Sequence, residues 1–104
     1  MNNPPDDISQ VSSLIKKDFG LDHSELTNLT ILDELKQQLT QIVTYLLDKD
    51  FQRLLSAMYR IDISERKFKE VLSKDPPSEI AANIAQLIID RELQKVITRR
   101  KYSE

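Results

Sequence analysis

The feature that most narrows what this chain can fold into is its near lack of backbone breakers. Glycine occurs once, at Gly20, and the four prolines stand in two pairs, Pro4-Pro5 and Pro76-Pro77. These two residue types disfavour a helix interior most, so the rest of the chain is free to be helical over long stretches. Hydrophobic residues make up 39% of the 104 and charged residues 31%, a balance that suits a small helical body with one face of most helices in water. That length supplies one hydrophobic core and a single domain spanning 1–104. The expectation is an all-α fold, a compact bundle of four or five helices with a long C-terminal helix. Residues 1–7 are expected to form a flexible lead and 99–104 a frayed end.

Periodicity places the helices. Ile8, Val11, Leu14 and Ile15 share one stripe of a short first helix from about Ile8 to Asp18, with Asp6 and Asp7 at its positive end and Gly20 as a left-handed stop. The segment from Leu21 to Asn28 has no period and reads as a loop. From about Thr30, Leu32, Leu35, Leu39, Ile42 and Leu46 recur at spacings of three and four, with Ile31, Val43 and Leu47 widening the stripe. Asp50 is a competent N-cap for a following helix carrying Phe51, Leu54, Leu55, Met58 and Tyr59, although one long bent helix through this point is also compatible. Asp62 with Glu65 reads as an acidic capping box before Phe68, Val71 and Leu72, in a helix ending near Lys74. Pro76-Pro77 forces extended backbone before it, and Ser78 is expected to cap the last helix.

The core is assigned to Leu35, Leu39, Ile42, Val43, Leu46, Leu54, Leu55, Met58, Phe68, Leu72, Ile80, Ile84, Leu87 and Ile88. Beyond Ile88 the last helix changes face. Ile89, Leu93, Val96 and Ile97 project from roughly the side opposite Ile80, Ile84, Leu87 and Ile88. A helix from Ser78 to Tyr102 is about 37 Å long, so both faces are not expected to lie on one small body. The second face then needs the N-terminal helix, another copy of the chain or a different protein. Alternatively the helix lies between two layers of one domain, with Ala81, Ala82 and Ala85 allowing close approach. A two-fold homodimer through Ile89, Leu93, Val96 and Ile97 is the working expectation.

Chemistry-bearing motifs are sparse. Arg91, Lys95, Arg99, Arg100 and Lys101 form a basic stripe that could hold phosphates of nucleic acid, but cations in the last turns also complement the helix dipole, and Asp90 and Glu92 dilute the patch. The acids Asp48, Asp50, Asp62 and Glu65 lack the spacing and central glycine of a calcium loop. His23 is the only histidine, too few for a di-iron bundle, and no phosphate-binding, nucleophile-elbow or zinc-protease motif is present. No catalytic residue, cofactor or metal ligand is therefore assigned. Tyr59, Arg60 and Asp62 read as a corner with the ring in the core and an Arg-Asp pair fixing the turn. The absence of cysteine, of a hydrophobic leader and of any long apolar run gives a cytoplasmic expectation with no membrane contact.

The stretches YRIDISERKF, residues 59–68, and IAQLIIDRELQKVITRRKY, residues 84–102, resemble those of small, uncharacterised helical proteins from bacteria. The resemblance covers roughly the last half of the chain, implies a helical fold and a cytoplasmic location, and carries no catalytic residues over. Taken together these readings favour an interaction or structural module, self-associating through the last helix, over a nucleic-acid binder using the basic stripe or an enzyme without recognisable motifs.

Overall fold

The computed structural model describes residues 5–21 and 32–103. Five helices follow one another: α1 (Pro5–Phe19), α2 (Leu32–Lys49), α3 (Phe51–Ile61), α4 (Glu65–Lys74) and α5 (Ile80–Ser103), with no strand among the described residues. Residues 1–4, Thr30, Ile31 and the greater part of the expected loop, His23 included, lie outside them. α1 begins at Pro5 and Asp7 is buried, so part of the flexible lead expected over 1–7 is helix. The C-terminal helix is likewise continuous to Ser103, through the stretch expected to fray.

Local chemistry explains the boundaries. At the end of α1, Gly20 adopts φ +66, and the amides of Gly20 and Leu21 donate to the carbonyls of Lys17 and Lys16 at 3.2 and 2.8 Å. This is the glycine stop expected from the sequence, and only the left-handed backbone requires glycine there. Arg53 of α3 adds a second stop: its guanidinium donates to the Phe19 carbonyl at 3.0 and 2.8 Å and to the Gly20 carbonyl at 3.2 Å. Between α2 and α3 the chain breaks at Asp50, whose carboxylate accepts from the Arg53 amide at 3.2 Å. There are two helices here, not one bent helix.

Two expected caps are corrected. Asp62 does not open α4; it closes α3 in the left-handed conformation, φ 66, with its amide donating to Tyr59 and the Ile63 amide to Met58. Ser64 is the N-cap of α4, its hydroxyl accepting from the Lys67 amide at 3.3 Å. Ser78 lies in the turn over 77–79, and α5 starts only at Ile80, with Asn83 donating from its amide to the Glu79 carbonyl and from its side chain to Asp75 at 2.7 Å. The proline pair sets up a turn first, and the helix follows one residue later than the sequence suggests.

α5 is the centre of the bundle and packs against each of the other four helices, most extensively against α2 and α1. With 24 residues it is about 36 Å long, and the body lengthens to 40 × 30 × 25 Å to accommodate it. The expectation of two opposed apolar faces is corrected by this arrangement. At about 100° per residue, Ile84, Ile88, Glu92, Ala85, Val96 and Ile89 fall in one sector roughly 140° wide, and all six are buried. The two stripes are the edges of a single broad arc, which helices on several sides can cover. Ile89 and Val96 are thus buried inside the chain, Leu93 packs partly against the core, and only Ile97, 37% exposed, remains at the surface. No second copy is needed to cover this face.

Of the assigned core, Leu35, Leu39, Val43, Leu46, Leu54, Met58, Phe68, Ile84 and Ile88 are buried. Ile42, Leu55, Leu72, Ile80 and Leu87 are half-buried at its edge. α1 contributes more than expected, placing Ile8, Val11, Ile15 and Phe19 in the same core cluster.

Candidate interaction groove

The stripe of α3 is too wide for one neighbour. Leu54, Ala57, Met58 and Ile61 face the core and are buried, while the row Phe51, Leu55 and Tyr59, spaced four apart, turns to the other edge. α4 leaves α3 at the left-handed Asp62 corner and rests on α5 rather than alongside α3. The two helices therefore diverge, and a cavity of about 580 Å³ opens between them, lined chiefly by apolar groups of Phe51, Leu55, Met58, Tyr59, Ile63, Phe68 and Leu72. Phe51 and Phe68 stack across it, ring centroids 6.5 Å apart. Its rim is charged: Asp62, Glu65 and Lys69, the latter two paired at 3.6 Å on the surface.

The exposure of the large residues decides the character of this place. Phe51 is 39% exposed and Tyr59 82%. The expected packing of the Tyr59 ring in the core is corrected, because α4 swings away and leaves nothing for it to pack on. The expected Arg60-Asp62 pair is also replaced: Arg60 is exposed, and Asp62 receives Arg91 of α5, with the guanidinium 3.3 Å from its carboxylate and 3.3 Å from its carbonyl. That contact anchors the corner to α5. Beyond it lies a more polar crevice of about 440 Å³ lined by Asp62, Ser64, Lys67, Asp90, Arg91 and Gln94 among others.

Two members of the basic stripe are held by partners within the fold. Arg91 is held by Asp62 and by Gln94 at 3.1 Å, and Lys95 sits 3.1 Å from the Glu92 carboxylate. Arg99 and Lys101 are exposed, with Arg99 engaged in a contact of its own; the Arg100 side chain lies outside the described part. Among the described residues no group of three or more His, Cys, Asp or Glu is placed to hold a metal ion, and no helix is long and apolar enough to cross a membrane.

Glu92 was legible only as a diluting charge in the basic stripe, yet it is fully buried in the middle of the α5 arc. Its place in the row Ile88, Glu92, Val96 was the available signal. Neither carboxylate oxygen receives a well-directed hydrogen bond. Burial pushes its pKa up from 4.5 to about 7; Lys95 opposes the rise, and the negative charge of Asp18 on α1 adds to it.

Comparison with protein-family models, with curated proteins and with solved structures finds no match for this chain.

Proposed function

We propose that this chain is a cytoplasmic protein-interaction module that takes an amphipathic helix of a partner protein into the α3–α4 groove. The observation that carries this reading is the row Phe51, Leu55 and Tyr59 lining an apolar groove with Phe68 and Leu72, with Tyr59 largely in water and Phe51 partly exposed. Exposed apolar patches of this kind mark contact sites. From Phe51 to Tyr59 the groove wall runs about 12 Å, two helical turns, the span of anchors at i, i+4 and i+7 on a docked helix. The groove lining carries both signs of charge beside the apolar groups, which suits a helix with polar residues flanking its apolar stripe. The lack of cysteine agrees with a reducing compartment.

Selection of helical peptides from a randomised library against the full chain tests this. The expected ligands carry large apolar residues at i, i+3 or i+4 and i+7, and lose at least tenfold in affinity to Tyr59→Glu combined with Phe51→Gln. Tyr45→Glu, at an exposed aromatic on α2 outside the groove, should leave binding unchanged. Equal affinity for all three proteins, or failure to select any helical ligand, overturns the reading.

A further inference from the structure

Apolar surfaces that border one groove are driven together by the area they would remove from water. The α3–α4 groove stays open all the same, with Tyr59 82% exposed at its edge. The direction in which the chain leaves α3 keeps α4 apart from it, and that direction is set over Asp62, Ile63 and Ser64. Asp62 holds φ 66 and ψ 50 there, the only non-glycine residue with positive φ among those described. A side chain disfavours this conformation, so it persists where surrounding contacts fix it. Arg91 of α5 supplies two: its Nη2 lies 3.3 Å from the Asp62 carboxylate, and its Nε donates to the Asp62 carbonyl at 3.3 Å. Gripping both the carboxylate and the carbonyl of one residue fixes the plane of the next peptide, and with it the ψ at which the chain departs. Gln94, accepting from Arg91 Nη1 at 3.1 Å, steadies the guanidinium. Asp62, Ile63 and Ser64 line the apolar groove on one side and the polar crevice on the other, so any movement of this corner reshapes the groove.

We infer that, on the reading of the groove as a helix site, the Asp62–Arg91 clamp is the positioning device that holds it open. Without the clamp Asp62 leaves the left-handed region, α4 turns toward α3, and Phe68 and Leu72 cover Leu55 and Tyr59. The closed form gains the apolar area that the open form leaves in water, and it cannot take a helix. Asp62 and Arg91 therefore act through the place of α4, and their effect on affinity is the fraction of molecules that are open. The remaining helices keep their packing on α5, so closure is local and the core is not disturbed.

Nitration of the full chain with tetranitromethane, mapped by mass spectrometry as the rate at Tyr59 relative to Tyr45, tests the clamp without any ligand. Tyr45 is the internal standard, an exposed tyrosine on α2 outside the groove. Arg91→Gln and Asp62→Gly should each lower the ratio about threefold, as a population about two-thirds closed requires. A role in stability alone would loosen the corner and raise the ratio or leave it unchanged, so the sign separates the two. Glycine suits the left-handed backbone at position 62, and this variant reads the clamp should Arg91→Gln fail to fold. A helical peptide selected on the wild-type chain should bind both variants about threefold more weakly. Failure to select any peptide overturns the groove as a partner site and leaves the nitration ratio to decide the clamp. A ratio unchanged or raised in Asp62→Gly overturns the clamp, whatever the peptide does.

Discussion

The two sides of this bundle treat large apolar residues in opposite ways. Around the middle of α5, Ile88, Ile89 and Val96 are fully covered, and a glutamate is carried into the interior with them. Between α3 and α4, by contrast, Phe51 and Tyr59 stay exposed although the groove they line is mostly apolar. Burying an ionisable group opposes folding and leaving aromatic area in water forgoes a gain, so neither arrangement is the one that stability alone selects. The difference teaches that coverage here follows helix geometry: α5 is long and central, and everything on its broad arc is enclosed, whereas α4 is short and diverges at one left-handed corner.

The largest expected effect that tests this contrast is at Ile89. Ile89→Ala should lower stability by about 2 to 5 kcal/mol in urea unfolding, as for a large-to-small change in a packed core. A loss below about 0.5 kcal/mol would place this face at the surface and return it to the self-association reading. An intermediate effect is expected at Glu92. An acid whose folded pKa is raised stabilises the fold fully below its unfolded value, near 4.5, and that contribution is lost as pH rises toward about 7. The wild type should therefore lose up to about 3 kcal/mol between pH 4.5 and 8 from this group, and Glu92→Gln should remove that part of the slope, being the more stable protein at pH 8. Unfolding curves at the two pH values decide it; equal pH dependence in both proteins would show that the carboxyl is solvated. The smallest effect belongs to the groove. Tyr59→Ser should change stability by less than about 0.5 kcal/mol, as at an exposed site, and a larger loss in thermal unfolding would show that the ring packs on the fold after all.

Much of the fold was legible because it depends on local rules. The stripe of α2, the Gly20 stop and the Asp50 cap needed only periodicity, a left-handed residue and a capping side chain. The caps that were misplaced fail for a reason visible in the bonds. Asp62 and Ser64 stand two residues apart and both suit a helix end, so the local pattern does not say which closes α3 and which opens α4; in the fold Asp62 closes α3 and is met by Arg91, 29 positions away, while Ser64 caps α4. The Ser78 reading fails in the same manner, since Asp75 and Asn83 join across the proline turn.

The site was less legible. Phe51, Leu55 and Tyr59 could be placed on one row of a helix, but that the row faces a gap follows only from where α4 goes. The same holds for Glu92, whose row position was readable and whose burial was not. By itself the sequence determined that the chain is helical, where its five helices lie to within about three residues, and which stripe of α2 is buried, because backbone propensity, capping and periodicity act within one or two turns. The tertiary structure alone decided that α5 sits at the centre with a broad arc of its surface enclosed, that an acid is buried within that arc, and that α3 and α4 part to leave a groove. Those outcomes depend on the relative directions of helices, which are set by contacts between residues far apart in the chain and leave no mark on any local pattern.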